Sequence, residues 1–125
     1  MEVVGQDSNL PSRSFRFEDL QARPSGADGK NRARAMLDGK THTGYRVEMH
    51  QTELAPGMMP HPPHHHVHEE LILVWQGMME VTISDKKVTL GPGSAAYIAS
   101  NEEHGWRNVG STQAHYFVLT LRGNS

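Results

Sequence analysis

The sequence contains no cysteine, so disulfides, thiolate metal sites and cysteine nucleophiles are all excluded. Long hydrophobic runs are also missing, because LILVW at 71–75 is the longest and is too short to cross a bilayer. The first residues, MEVVGQDSNLPSRS, have neither the basic start nor the apolar centre of a signal peptide. We therefore expect a cytoplasmic protein with no membrane partner, although a periplasmic or secreted chain with its signal removed would read the same.

An excess of positive charge is lacking as well. The formal net charge is -2 at pH 7, with 12 lysines and arginines against 14 acidic residues. Because no basic field would gather phosphates, we expect no nucleic-acid partner. The 125 residues suffice for one domain with its own core. Any metal ion bound by this chain must be held by nitrogen and oxygen ligands.

Composition changes once along the chain. Residues 1–30 have few apolar side chains, which predicts an irregular or poorly ordered N-terminal arm. Residues 31–125 contain short strand-like runs separated by turn residues, which predicts one all-β sandwich or barrel domain. Within it, Asp38-Gly39 is expected to form the tight turn of the first hairpin. Five arginines are expected to keep an exposed segment in solution: Arg13, Arg16, Arg23, Arg32 and Arg34.

Residues 61–70 contain five histidines and two glutamates. In an extended strand, residues i and i+2 share a face about 6.5 Å apart, so His64 and His66 could bind one cation. His65 would then face the other way, and His61 is separated from them by two prolines that disfavour a regular strand. A carboxylate would offset the charge of the cation, and Glu70 opens the next strand.

A fourth ligand must come from farther along the chain. His104 follows a loop and opens a strand, whereas His115 lies in the middle of a strand near the C-terminus. His61, His65 and His68 are expected to lie outside the ligand set, with His68 as the best candidate for contacting a ligand. The pairs Met58-Met59 and Met78-Met79 are interpreted as packing rather than a soft copper site, since neighbours in a strand face opposite ways.

These residues resemble the two motifs of the cupin family. The spacing of Gly57, His64, His66, Glu70 and Gly77 is similar to the first motif, glycine, five or six residues, H-x-H, three residues, glutamate, six residues, glycine. Matching positions of the second motif are occupied by Gly93, His104 and Asn108. The resemblance covers about residues 44–121. It implies an antiparallel, jelly-roll-like β-barrel with a metal ion inside, bound by three histidines and one glutamate.

The sequence departs from the second motif at three positions. Ala99 and Asn101 stand where proline and glycine are usual, and Ser94 stands where aspartate is common. None of these is a ligand position. Asparagine tolerates a left-handed backbone better than other residues with a side chain, so Asn101 is expected to form the turn.

The lining of the pocket follows from strand alternation. Ile72 and Val74 would share the face of Glu70, and Trp106 that of His104. We therefore expect a largely apolar wall, which would select substrates with an apolar body and a chelating oxygen end. Small enols, diketones, catechols and 2-oxo acids fit this description.

Three histidines and a carboxylate leave two positions of an octahedron open, which permits oxygenase chemistry on a small organic substrate. A metal-dependent oxygenase is the leading hypothesis, with one divalent Fe, Mn, Ni, Cu or Zn ion per chain. An isomerase or lyase is the alternative, with a proton carried by one of four candidates: Glu69, Tyr97, Glu103 and His50. A second alternative is a non-catalytic module that binds a sugar or organic acid. A third alternative is a histidine-rich metal buffer. A homodimer is expected, and its interface would involve an exposed edge strand near 31–37.

Overall fold

The computed structural model describes residues 9–26 and 29–123. Within these ranges the chain forms one short 3-10 turn, Phe17–Asp19, and a series of strands. The strands are β1 (Ala22–Ser25), β2 (Asn31–Lys40), β3 (Arg46–Leu54), β4 (Glu69–Gln76), β5 (Met79–Ile83), β6 (Lys86–Leu90), β7 (Ala95–Ile98), β8 (His104–Asn108) and β9 (Ala114–Arg122). No residue of these ranges lies in a helix long and apolar enough to span a membrane. The prediction of an all-β fold is confirmed.

The strands form two antiparallel sheets, which face each other as in a jelly roll. The larger sheet has the order β1-β2-β3-β9-β4-β7, and the smaller has the order β6-β5-β8. Ser84 and Asp85, with φ of 46° and 69°, connect β5 to β6 as a two-residue hairpin turn that needs both residues left-handed. β4 and β5 are consecutive in the chain but lie in different sheets. Buried residues of both sheets form the core between the two sheets.

Alternation along the strands produces this core. In β4 the side chains of Ile72 and Val74 are fully buried, and their partners across β9, Val118 and Tyr116, are buried as well. Trp106 of β8 donates its indole N–H to the hydroxyl of Tyr116 at 3.1 Å, which satisfies the two polar atoms of these core aromatics. In each methionine pair one side chain packs in or against the core and the other is exposed. Met79 is fully buried and Met58 packs against the core, while Met59 and Met78 are exposed.

The first hairpin turns later than predicted. Asp38 and Gly39 lie inside β2, paired with Glu48 and Val47, so the prediction of a turn at Asp38-Gly39 is wrong. Residues 41–45 make the connection instead, with a hydrogen bond of 3.0 Å from the Gly44 N–H to the Thr41 carbonyl. Gly39 allows close packing and does not form a turn, because Leu10 lies 2.7 Å from the position that a Cβ at residue 39 would occupy.

Part of the N-terminal segment forms a strand. Its residues 22–25 form β1, which pairs with Asn31–Arg34 of β2. That half of β2 is therefore not a free edge, and the expectation of an exposed edge strand near 31–37 is wrong over these residues. The pairing joins segments that sequence composition separated at residue 30.

The segment also crosses the outer face of the larger sheet. The ring of Phe17 packs edge-on against Trp75 of β4, with centroids 5.2 Å apart, and the guanidinium of Arg34 lies 4.5 Å from the Phe17 ring centroid. Arg34 pairs with Glu53 and donates to Gln51 at 2.9 Å, and its side chain is 12% exposed. The expectation of an exposed Arg34 is wrong because β1 and Phe17 cover it. The other arginines of that group are exposed as predicted: Arg13, Arg16, Arg23 and Arg32.

Candidate metal centre

Two distant segments meet at the centre through backbone hydrogen bonds. His64 and His104 form a bridge in which each N–H donates to the carbonyl of the other, at 3.0 and 2.9 Å. Asn101 has the predicted left-handed backbone, with φ of 63°, and its N–H donates to the carbonyl of His66 at 2.7 Å. The turn before β8 therefore holds the histidine stretch that precedes β4.

This arrangement brings together the four residues that the sequence predicts as ligands. One donor atom each from His64, His66, Glu70 and His104 lies within 4.8 Å of the other three. An Oε1 atom of Glu70 lies 2.8 Å from Nε2 of His104 and 3.5 Å from Nε2 of His66. His104 is 1% exposed and Glu70 7%, so the group lies at the inner end of a cavity rather than on the surface.

Backbone carbonyls fix which nitrogen of each ring faces the centre. Nδ1 of His66 lies 2.8 Å from the carbonyl of His68, and Nδ1 of His104 lies 2.8 Å from the carbonyl of Glu102. Because a carbonyl only accepts, each Nδ1 must carry the proton, and each Nε2 of a neutral ring presents a lone pair. Two rings are thereby oriented as metal ligands.

The contact between Glu70 and His104 provides a test of whether a metal ion fits here. A neutral His104 points a lone pair at a carboxylate oxygen 2.8 Å away, which is repulsive. The contact becomes favourable when a cation, either a proton on Nε2 or a metal ion bound by both atoms, lies between them. Nitrogen and carboxylate donors suit divalent first-row metals, so the residues fit such an ion.

Burial keeps one ligand in the neutral form. The pKa of His64 is lowered by burial first, and further by the positive forms of His61, His104 and His66, against an opposing effect of Glu70. His64 is therefore deprotonated at neutral pH, which is the form that binds metal. Burial and then His66 also lower the pKa of His68.

The remaining histidines of the stretch lie outside the four-residue group. His61 stacks on His64 with ring centroids 4.0 Å apart, and His68 stacks on His66 at 3.7 Å. His65 is exposed. His68 therefore supports a ligand twice, by its ring and by the carbonyl that accepts from His66.

The four candidate proton carriers occupy different places. Tyr97 donates a hydrogen bond to Glu69 on the outer face, where Tyr97 is 54% exposed, and Glu69 raises the pKa of Tyr97. Glu103 lines a cavity on another side, with Trp106 and Arg107. His50 alone among the four lines the cavity that contains the ligands, with its Nδ1 2.9 Å from a carboxylate oxygen of Glu48.

That cavity has a volume of about 460 Å³ and is lined by polar and charged residues, whose aliphatic and ring carbons also face it. The expectation of a wall formed by Ile72, Val74 and Trp106 is wrong, because these side chains face inward but are packed into the core at 0%, 0% and 3% exposure. The lining, besides the ligands His64, His66 and Glu70, is Asp38, Arg46, Glu48, His50, His68, Thr120 and Arg122. Of these, sequence analysis missed five: Asp38, Arg46, Glu48, Thr120 and Arg122. Polar residues at every second position of β3, namely 46, 48 and 50, are the signal that could have found part of this wall.

Comparison with known families agrees with the motifs. A family model described as the cupin domain matches residues 50–120, which is more than half of the sequence. The chain therefore belongs to the cupin family. No curated protein sequence gives a significant match.

Solved structures share the fold at low sequence identity. The polyketide cyclase RemF from Streptomyces resistomycificus is 23% identical, with a TM-score of 0.69 over 92% of this chain and 87% of that one. KdgF from Halomonas sp. is 16% identical, with a TM-score of 0.73 over 91% and 97%. A cupin-superfamily sugar phosphate isomerase from Silicibacter pomeroyi is 15% identical, with a TM-score of 0.71 over 88% and 76%. At such identities the likeness shows the fold alone.

Proposed function

We propose that this cupin is a metal-dependent enzyme that moves protons on a small organic substrate, as an isomerase, lyase or cyclase does. The observation that carries the proposal is the cavity in which His50 and its Glu48 partner share a wall with His64, His66 and Glu70 of the four-residue group. Cupins with solved structures include both a cyclase and an isomerase, so the fold accommodates more than one chemistry.

One divalent ion, Fe, Mn, Ni, Cu or Zn, would be held by His64, His66, Glu70 and His104. When bound, such an ion acts as a Lewis acid that polarises a carbonyl or stabilises an enolate. Around it, the chain supplies the buried carboxylate of Glu70 and rings held by the carbonyls of His68 and Glu102. These contacts orient the donors before any ion binds.

His50 is the proton carrier in this proposal. Its Nδ1 bonds the carboxylate of Glu48 at 2.9 Å, so that nitrogen carries a proton and Nε2 is free to accept one. The carboxylate then stabilises the imidazolium that forms, as an orienting acid does in other acid–base pairs. The side chain of His50 is 31% exposed, which leaves it accessible to a molecule in the cavity.

An oxygenase is the second candidate. It is favoured by the ligand set itself, since three histidines and one carboxylate leave two octahedral positions open for a substrate and dioxygen. A non-catalytic module that binds a sugar or organic acid would use the same polar wall without turnover.

The experiment reconstitutes metal-free protein separately with iron(II), manganese, nickel, copper and zinc and screens enols, diketones, catechols and 2-oxo acids. Proton-transfer chemistry predicts turnover with zinc and without dioxygen. It also predicts that His50→Gln lowers turnover by about 100-fold or more with metal content unchanged. His42→Gln, at an exposed histidine outside the cavity, is the control. Turnover restricted to redox-active metals, with dioxygen uptake, would establish the oxygenase instead. Tight binding without turnover would establish the binding module.

A further inference from the structure

Two arginines lie side by side in the lining of the cavity. Arg46 of β3 and Arg122 of β9 are direct register partners, so their side chains leave the same face of the sheet. Like charges directly opposite each other destabilise a sheet. Both arginines nevertheless line the cavity that holds the metal-ligand group. Asp38 offsets the charge of Arg46 in the empty sheet, and an anion placed between the two arginines would also offset the charge of Arg122.

The carboxylates around the cavity are already engaged. Asp38 accepts from Arg46 at 2.8 Å, Glu48 bonds His50, and Glu70 belongs to the metal-ligand group. Among the described residues no carboxylate forms an ion pair with Arg122. Since a guanidinium stays charged at any physiological pH, the exposed Arg122 presents to the cavity a positive charge that no ion pair among the described residues offsets.

The register gives the spacing between this charge and the ligands. Glu70 pairs with Thr120 across β9, and Arg122 follows Thr120 by two residues on the same face. Two residues along a strand span roughly 7 Å, and the flexible arginine side chain extends over that distance. A small molecule bound at one end by the ligand group would therefore reach the guanidinium with a chain of a few carbon atoms.

We propose that Arg122, assisted by Arg46, binds an anionic group at the far end of the substrate, either a carboxylate or a phosphate. Arginine suits this role because its planar fork donates two parallel hydrogen bonds to either group. The inference deepens the proposed function and rests on it, since it assigns the substrate class of the same site: short organic anions with a chelating oxygen end.

The test compares ligands that differ only at the far end. Zinc-reconstituted protein, with its metal content measured, is titrated calorimetrically with 2-oxoglutarate and with 2-oxopentanoate, which replaces the distal carboxylate by a methyl group. A distal phosphonate analogue of 2-oxoglutarate distinguishes phosphate from carboxylate preference. We expect the anionic ligands to bind at least about tenfold more tightly than 2-oxopentanoate. Arg122→Gln should abolish this difference, and Arg122→Lys should retain part of it.

Arg107→Gln is the matched control, because Arg107 is 49% exposed in its side chain and lies on a different cavity. The inference is overturned if the parent protein binds the distal anion and the methyl analogue equally, or binds neither. It is also overturned if Arg122→Gln changes the ratio no more than Arg107→Gln does. This assay measures binding and not turnover, so its result is independent of the enzyme proposal. A protein that prefers the anionic ligands but turns over no compound would refute the enzyme proposal and leave the present inference standing.

Discussion

His104 and Glu70 come from opposite sheets, and a shared cation is what makes their 2.8 Å contact favourable. Their burial makes this requirement strict, since an uncompensated charge in the interior costs several kcal/mol. The grouping of these four residues was predicted from sequence, because the i, i+2 spacing of His64 and His66 is local and Glu70 and His104 occupy matching positions of the two motifs. The carbonyls that orient the rings were not, since they depend on turns whose geometry no residue type determines.

Removing a ligand should therefore empty the centre. We expect His104→Ala and Glu70→Ala each to weaken metal binding by more than about 100-fold. Loss of a residue that only supports a ligand weakens metal binding by about 100-fold at most. Elemental analysis after dialysis against a weak chelator measures the effect. His65→Ala, at an exposed ring outside the group, should keep the parent stoichiometry. If His65→Ala loses the metal and His64→Ala retains it, the strand register proposed for the ligands is wrong.

Acid should act on the same residues. The folded-state pKa of His64 lies below its usual 6.5 because of burial, so the folded chain binds fewer protons there than the unfolded chain. Stability of the metal-free protein should hold above about pH 6.5 and fall as pH drops toward the lowered pKa. Metal affinity should fall further, by up to roughly tenfold per pH unit for each ligand histidine that protonates.

Denaturant titrations of the metal-free and metal-loaded protein at several pH values would measure both effects. The metal-loaded protein should lose stability more steeply, because metal binds only the folded state and is released as the histidines protonate. His42→Gln should follow the parent. If His64→Gln leaves the pH dependence of the metal-free protein between pH 7 and pH 5 unchanged, the contribution derived for His64 is contradicted.

At the scale of strands, alternation predicts on which face of the sheet a side chain lies, but not how deeply that side chain is buried. Ile72 and Val74 do share the inward face of Glu70, yet they lie in the packed core. A polar row instead runs from Glu70 through Thr120 to Glu48. The depth of a residue depends on which strands pair in register, and β9 pairs with strands that lie far away in the sequence, as in Glu70 with Thr120 and Glu48 with Thr120. The sequence therefore predicts the group of four candidate ligands while missing the polar residues in front of it.

The turn between β4 and β5 gives a prediction at this scale. Gly77 has φ of +94°, and a Cβ there would lie 2.8 Å from the backbone of Ala114 in β9. Gly93 has a similar φ of +84° with no atom within 4 Å of its Cβ position. Gly93→Ala should cost only the left-handed strain of about 1–2 kcal/mol. Gly77→Ala should cost about 1–3 kcal/mol more, because β9 must move.

Urea unfolding of both variants at one pH separates the two terms. An unchanged denaturant slope would show that stability alone has changed. Equal losses for Gly77→Ala and Gly93→Ala would mean that the close approach of β9 to the turn contributes nothing.

For the molecule as a whole, the outer face of the larger sheet is apolar across five strands. Register places one row of side chains side by side: Leu37, Met49, Leu119, Leu71 and Tyr97. The N-terminal segment covers part of this face, where Leu10 meets Gly39 and Phe17 meets Trp75. Toward β7 the cover ends, and Leu71, Leu73 and Tyr97 are 38%, 45% and 54% exposed.

An apolar patch of this kind marks an interaction surface, and a second copy of the chain is the occupant we predict. The homodimer expected from the sequence would then use this face rather than the covered half of β2. Leu73→Glu should convert a dimer to a monomer in sedimentation velocity at micromolar concentration, because each two-fold interface would bury two unpaired carboxylates. Val88→Glu, at a 58% exposed position of β6, should leave the dimer intact. A parent protein that stays monomeric at every concentration, or equal dissociation of both variants, would rule out this face as the interface.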